Sequence, residues 1–84
     1  MTTVVIKNKA GLHAMPASLF VDLAKKYSSN ITVIKDAKEY DGKSIVSIMM
    51  AMIVEGETIQ IHAEGCDAKI AEKRLVQFVE QYKE

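Results

Sequence analysis

Residues 58–63 alternate strictly between apolar and polar side chains, and this segment constrains the fold more than any other. Ile59, Ile61 and Ala63 point to one side of an extended chain. The opposite side carries Thr58, Gln60 and His62. A strand of this kind has one face in a core and the other in solvent. The segment therefore predicts a sheet that is covered by helices on one face only.

Three further strands are predicted by β-branched and alternating residues. They run over 2–7, over 31–35 and, as a short polar strand, over 38–41. The last two are joined by a tight turn at Asp36-Ala37. Alanine is a poor residue for the positive φ that a two-residue turn needs, but the short spacing still favours a hairpin.

Three helices are predicted between and after these strands. Pro16 suits the first turn of one helix, Ser44 is a natural N-cap for a second over 45–53, and Asp67 can cap a third. The apolar stripes of the first and third helices are Phe20, Leu23, Ala24 and Tyr27, and Ala71, Leu75, Phe78 and Tyr82. The order β-α-β-β-α-β-α predicts an α+β fold with a four-stranded antiparallel sheet and three helices on one face.

Size and charge limit the classes of function. A chain of 84 residues has room for one core, so residues 1–84 are expected to form a single domain. Its 11 basic and 11 acidic side chains cancel, which speaks against a dedicated nucleic-acid binder. Cys66 is the only cysteine, and no apolar run approaches the roughly 20 residues of a membrane span. A cytoplasmic domain with no metal, cofactor or membrane contact is predicted.

The segment Gly-Leu-His-Ala-Met-Pro-Ala-Ser, residues 11–18, is the candidate site. His13 lies between a loop that contains Gly11 and a helix that starts near Pro16. A helix start offers unpaired N–H groups to an anion, and an imidazole can accept a phosphoryl group near neutral pH. The same spacing also suits a histidine that only ends the loop in solvent, and the spacing does not decide between the two interpretations.

The second helix, residues 45–53, is apolar almost all round, since only Ser47 interrupts it. Such a helix must bury more than one face. Either a face with Ile45, Val46 and Met49 is exposed to bind a partner, or the helix is deeply buried.

Two motifs resemble those of the HPr family, the histidine phosphocarriers of the bacterial sugar phosphotransferase system. Gly-Leu-His-Ala-x-Pro-Ala resembles the family's phosphorylation site, and residues 43–49 resemble the regulatory serine segment of HPr proteins from Gram-positive bacteria. The order of elements matches the HPr open-faced sandwich over the whole chain. The resemblance implies that His13 receives phosphate through Nδ1 from enzyme I and passes it to sugar-specific IIA domains. It also implies that Ala14, Met15 and Ser18 hold the phosphate.

Further partners are implied by the same resemblance. HPr kinase/phosphorylase would modify Ser44, and a transcriptional regulator would read the modified protein. The implied partner surface consists of Leu12, Met15, Ile45, Val46 and Met49, whereas Ile48 and Ile53 would face inward. From the residues alone, Ser44 is a helix cap worth about 1 kcal/mol.

One departure from the family pattern lies beside His13. The family has an arginine where this chain has Met15, and a lost hydrogen bond to a charged group costs about 1.5–3 kcal/mol. Slower or altered transfer is therefore expected, with Lys9 as a source of replacement charge that lacks the planar fork of arginine. A rival function follows, in which an HPr-like regulatory protein acts through phospho-Ser44 and transfers phosphate poorly or not at all.

Overall fold

The computed structural model describes residues 1–82. In chain order its elements are β1 (Thr2–Val5), α1 (Met15–Ala24), β2 (Asn30–Lys35), β3 (Lys38–Asp41), α2 (Ile45–Met50), β4 (Thr58–Glu64) and α3 (Ala68–Gln81). The predicted order β-α-β-β-α-β-α and the α+β class are confirmed.

The four strands form one antiparallel sheet in the order β1-β4-β2-β3, so β4 lies inside the sheet. On its buried face, Ile59 pairs with Val4 of β1 and Ile61 with Val33 of β2. Ile59, Ile61 and Ala63 are buried, whereas Thr58, Gln60 and His62 retain solvent contact. The alternation of this strand therefore predicted its two faces correctly.

The buried rows of the outer helices differ slightly from the predicted stripes. In α1, Ala17, Phe20, Val21 and Ala24 are buried, and Leu23 and Tyr27 lie at the rim of the core. In α3 the buried row is Ala71, Leu75 and Val79, at a spacing of four residues. Phe78 is half-buried and joins the two helices, since its ring centroid lies 6.3 Å from that of Phe20.

The hairpin between β2 and β3 has the predicted two-residue turn. Asp36 and Ala37 have φ values of 52° and 65°. Positive φ at both central residues is the geometry whose twist matches a β-hairpin. The turn therefore forms although Ala37 is not a favoured residue there.

Helix α2 ends at Met50, three residues earlier than predicted. Met52 takes a left-handed conformation with φ 51°, which stops the helix. The ammonium group of Lys35 donates to the carbonyl oxygens of Ala51 and Met52 at 2.9 and 2.8 Å. These contacts satisfy carbonyl groups that a helix end leaves without a partner.

Asp67 occupies the N-cap position of α3, but its side chain makes no cap hydrogen bond, so the predicted capping role is wrong. Its carboxylate instead accepts hydrogen bonds from the backbone N–H groups of Ser28 and Ser29 and from the Ser29 hydroxyl. Asp67 therefore ties the start of α3 to the segment that follows α1.

Among residues 1–82, no helix is both long and apolar enough to cross a membrane.

Candidate functional site

The loop before α1 is held by its backbone. Gly11 has φ 62°, its N–H donates to the Asn8 carbonyl at 3.1 Å, and its carbonyl accepts from the Asn8 amide at 2.7 Å. The next N–H, that of Leu12, donates to the Ile53 carbonyl at 3.0 Å. A Cβ atom on Gly11 would lie 2.1 Å from the same Ile53 oxygen. Only glycine fits, and the loop is thereby fixed against the segment that follows α2.

Leu12 is buried, with 2% of its surface exposed, and belongs to the core. The prediction that it forms part of a partner surface is therefore wrong. Its N–H bond to the Ile53 carbonyl holds the residue against the segment that follows α2. Leu12 anchors the loop, and the next residue is the first whose side chain reaches solvent.

The side chain of His13 is exposed to solvent. Within residues 1–82 neither of its ring nitrogens has a hydrogen-bond partner. His62, the other histidine, differs: its Nε2 lies 3.1 Å from a Glu64 oxygen and its Nδ1 lies 3.8 Å from a Glu72 oxygen. Of the two imidazoles, only that of His13 has both nitrogens available for chemistry.

Helix α1 starts directly after His13 without a side-chain cap. Ala14, the N-cap residue, has φ 55° and ψ −120°, a conformation that is strained for any residue with a Cβ atom. In the first turn the N–H group of the exposed Met15 has no acceptor among the described residues, Pro16 has no N–H, and Ala17 is buried. Ser18 donates its N–H to the Ala14 carbonyl at 3.1 Å, so only its hydroxyl is available. One backbone donor and one hydroxyl are therefore open to an anion near His13.

Among the described residues, no cationic side chain donates a hydrogen bond to His13, Met15 or Ser18. Met15 is exposed and lies where an arginine would offer a planar pair of donors. Lys9 is exposed and donates no hydrogen bond to His13. The positive end of the α1 dipole and the Met15 N–H group are the positive features that the geometry places next to the imidazole.

An open groove of about 520 Å³ begins at His13 and runs along α2. Its other lining residues are Val46, Met49, Met50 and Met52. Ile48 and Ile53 point into the core, as the family resemblance implied, and Ile45, Val46 and Met49 are exposed. The alternative in which α2 is deeply buried is wrong.

Two exposed apolar residues of this groove were absent from the predicted set: Met50 and Met52. The sequence shows Met50 and Met52 as part of apolar stripes, but only the left-handed end of α2 brings Met52 outward beside His13. We call His13, Val46, Met49, Met50 and Met52 the histidine groove.

The start of α2 confirms the predicted cap. Ser44 has extended backbone angles, and its hydroxyl accepts the N–H of Ser47 at 3.2 Å. The Ser47 hydroxyl is also engaged, since it accepts the N–H of Asp41 at 2.9 Å. Ser44 and Ser47 are both half-buried, so each hydroxyl combines a structural contact with partial access to solvent.

An ion pair between Lys35 and Glu57, which the sequence did not reveal, supports the far end of the histidine groove. Lys35, bonded to the end of α2, also pairs with a Glu57 carboxylate oxygen at 3.0 Å. The same oxygen accepts the Val54 N–H at 2.8 Å. The Val54 hydrogen bond and, next, that of Lys35 lower the pKa of Glu57. These contacts hold residues 52–57 in place. Because the Ile53 carbonyl binds the Leu12 N–H, they also support the loop before His13.

Residues 1–82 contain no group of three or more His, Cys, Asp or Glu side chains placed to hold a metal ion. Cys66 is exposed, and its sulfur lies 3.4 Å from the Ser28 hydroxyl at the opposite end of α1. His13 and the histidine groove are therefore the best candidate for the functional site among the described residues.

Comparison with known proteins agrees with this geometry. Residues 1–81 match the family described as PTS HPr component phosphorylation site. The chain is 42% identical to the phosphocarrier protein HPr of Borreliella burgdorferi, over 95% of this chain and 93% of that protein. It is 41% identical to the HPr-like protein Crh of Halalkalibacterium halodurans, over 93% of each. The crystal structure of HPr from Thermoanaerobacter tengcongensis superposes with a TM-score of 0.92 at 48% identity, covering 94% of this chain and 89% of that one. The chain belongs to the HPr family of phosphocarriers of the phosphotransferase system.

Proposed function

We propose that His13 is the residue that carries the phosphoryl group. A ring nitrogen attacks the phosphorus atom, a P–N bond forms, and the bond to the donor breaks, so that the donor leaves with its electron pair. The single observation that carries this assignment is an exposed imidazole, with both nitrogens unpaired, at the uncapped start of α1. The family resemblance adds Nδ1 as the attacking nitrogen.

The phosphate on His13 would be held by the first turn of α1. The Met15 N–H group and the Ser18 hydroxyl offer two donors there. Charge-assisted hydrogen bonds to backbone N–H groups are shorter and stronger than neutral ones. Ala14 contributes by its backbone conformation, which turns the chain from His13 into the helix.

We further propose that enzyme I donates the phosphate and that sugar-specific IIA domains accept it, in the cytoplasm, as part of sugar uptake. The histidine groove and the neighbouring side chains of Met15 and Ile45 supply the docking surface. Their apolar character supports association by burial of surface rather than by charge pairing.

The test is incubation with phosphoenolpyruvate and enzyme I. Acid-labile, alkali-stable phosphate is expected on the parent protein and on His62→Ala. The His62→Ala variant is the control, because it lacks the other histidine and retains His13. His13→Ala is expected to take up none. Equal labelling of both variants would show that His13 is not the acceptor.

A second role, regulation through Ser44, is favoured by two observations. The chain is 41% identical to the HPr-like protein Crh and 42% identical to a phosphocarrier protein HPr, so it is as similar to one kind of relative as to the other. Ser44 lies at the start of α2, beside the exposed Ile45 and Val46, where a phosphate would put up to about two negative charges next to the docking surface. In this role a regulator would recognise phospho-Ser44, but a protein with this role alone would not need His13.

Incubation with ATP and HPr kinase/phosphorylase, followed by mass mapping, tests the second role. An acid-stable phosphate is expected on Ser44 and is expected to disappear in Ser44→Ala. Ser47, one turn further along α2, is the matched competitor. Phosphate on Ser47 alone would contradict the assignment.

A further inference from the structure

Four of the five methionines of the chain surround His13. Met49, Met50 and Met52 line the histidine groove, and Met15 starts the helix that follows His13. Their exposed fractions are 36, 71, 72 and 61% for Met49, Met50, Met52 and Met15. Met1, the fifth, lies at the start of the chain, where its ammonium pairs with Glu72 of α3 at 3.2 Å. The thioethers are thus concentrated on the surface proposed to dock partners.

We propose that this methionine cluster is a site of reversible oxidation that controls docking at His13. The oxidant class is a two-electron oxygen donor such as hydrogen peroxide. The thioether sulfur attacks one peroxide oxygen, an S–O bond forms, the O–O bond breaks, and water leaves. The sulfur loses two electrons to the peroxide. The product is methionine sulfoxide, which sulfoxide reductases convert back.

Oxidation at these positions changes the surface without touching the core. The core residues named above include no methionine, since all five are exposed. A sulfoxide turns an apolar, flexible side chain into a polar one, and it does so within the groove that also contains His13. The inference rests on the proposed function, because docking through this groove is what the added polarity would weaken.

Helix α2 makes the effect local. Its inward residue is Ile48, whereas Met49 and Met50 face outward and Met52 follows the end of the helix. The carbonyl of Met52 accepts from Lys35, so its backbone is fixed while its thioether stays exposed. Each sulfoxide would therefore form on a backbone that the rest of the fold already holds.

The experiment treats two proteins with hydrogen peroxide, both with Cys66→Ser so that the exposed thiol does not react. One has the natural methionines. The other has Met15→Leu, Met49→Leu, Met50→Leu and Met52→Leu, which cannot form sulfoxides but retain similar volume. Met1 is present in both and serves as the internal control. Sulfoxides are mapped by mass spectrometry, affinity for enzyme I is measured by titration, and the thermal midpoint is recorded before and after treatment.

For the protein with natural methionines, we expect sulfoxides on the four cluster residues and an affinity for enzyme I that falls by about tenfold or more, since losing the burial of one large apolar side chain has that effect. The thermal midpoint is expected to hold, and sulfoxide reductases are expected to restore the affinity. The leucine variant should lose less than about twofold on treatment.

An equal loss of affinity in both proteins, or a loss that accompanies unfolding, would overturn the inference. No affinity for enzyme I before treatment would overturn both the inference and the proposed function. Binding of enzyme I without uptake of phosphate would overturn the proposed function alone, and the effect of peroxide on binding would still decide the inference.

Discussion

The two ends of α1 are held in opposite ways. At its start, Gly11, Leu12 and Ala14 fix the chain through backbone contacts and conformation, and the side chains of His13 and Met15 are left exposed. Beyond its end, side chains make the contacts: the Asp67 carboxylate binds the N–H groups of Ser28 and Ser29 and the Ser29 hydroxyl. The comparison shows how the fold can place a reactive side chain accurately while leaving it without partners.

Electrostatics differ between the two ends as well. Asp67 has its pKa lowered to about 2, first by the hydrogen bond from the Ser29 hydroxyl and next by that from the Ser28 N–H. The hydrogen bonds that stabilise its negative charge are therefore already supplied within the fold. At the start of α1 the exposed Met15 N–H has no such acceptor among the described residues, so that end can bind an anion from outside.

The largest expected effect comes from breaking the backbone support of His13 with Gly11→Ala. The new Cβ would overlap the Ile53 carbonyl, and the left-handed backbone would be strained. We expect a loss of about 3 kcal/mol in the free energy of unfolding, measured in urea. Gly56→Ala is the matched control, because Gly56 also has positive φ but nothing lies within 4 Å of its added Cβ. It should lose only about 1 kcal/mol, the conformational part. Equal losses in both variants would show that the contact with Ile53 does not hold the loop.

The next effect tests whether the start of α1 lacks positive charge. Met15→Arg should speed phosphorylation of His13 by about tenfold or more, since a guanidinium adds roughly 1.5–3 kcal/mol through charge-assisted hydrogen bonds. Stability should change by no more than about 0.5 kcal/mol, because position 15 is exposed.

Both half-reactions must be measured, since an arginine that stabilises the phosphorylated state as much as the transition state would slow donation onward. Met15→Leu is the control for side-chain shape without charge. If neither rate changes by more than about twofold in Met15→Arg, the site already balances the phosphate, and Lys9→Met would be the variant to examine next.

The smallest effect concerns the opposite end of α1. Because the pKa of Asp67 is lowered when folded, its contribution to stability is present above its ordinary value of 3.8 and is lost as the pH falls from there towards about 2. Asp67→Asn should therefore have a lower thermal midpoint than the parent at pH 7, and the gap should close near pH 2. A gap that stays constant between pH 7 and pH 2 would contradict the role of the charge. Phosphorylation of His13 should be unaffected.

The sequence predicted the features that depend on local pattern. Alternation over 58–63 predicted the two faces of the sheet, and the apolar stripes predicted the helices. Residues 11–18 identified His13 as the candidate site. Ser44 was found as a cap because capping is a contact between residues three apart.

Features that depend on contacts distant in sequence were predicted poorly. Leu12 was placed on the surface because the sequence does not show its backbone bond to Ile53. Asp67 was expected to cap its own helix, but its partners lie 38 and 39 residues away. The contacts of Lys35 with the end of α2 and with Glu57 were also not predicted. Each of these residues acts through a partner that only the fold brings near.

The most direct test of the account is a nuclear magnetic resonance comparison of the free and phosphorylated protein. We expect a large shift of the His13 ring nitrogens, with a shift of the Met15 amide signal as its N–H group binds phosphate. The signals of His62, Ser28 and Ser29 should stay in place, because His62 lies beside Glu64 and the two serines already bind Asp67. Phosphorylation that shifts the His62 ring, or that leaves the Met15 amide unchanged, would contradict the claim that the start of α1 presents His13 and a donor for its phosphate.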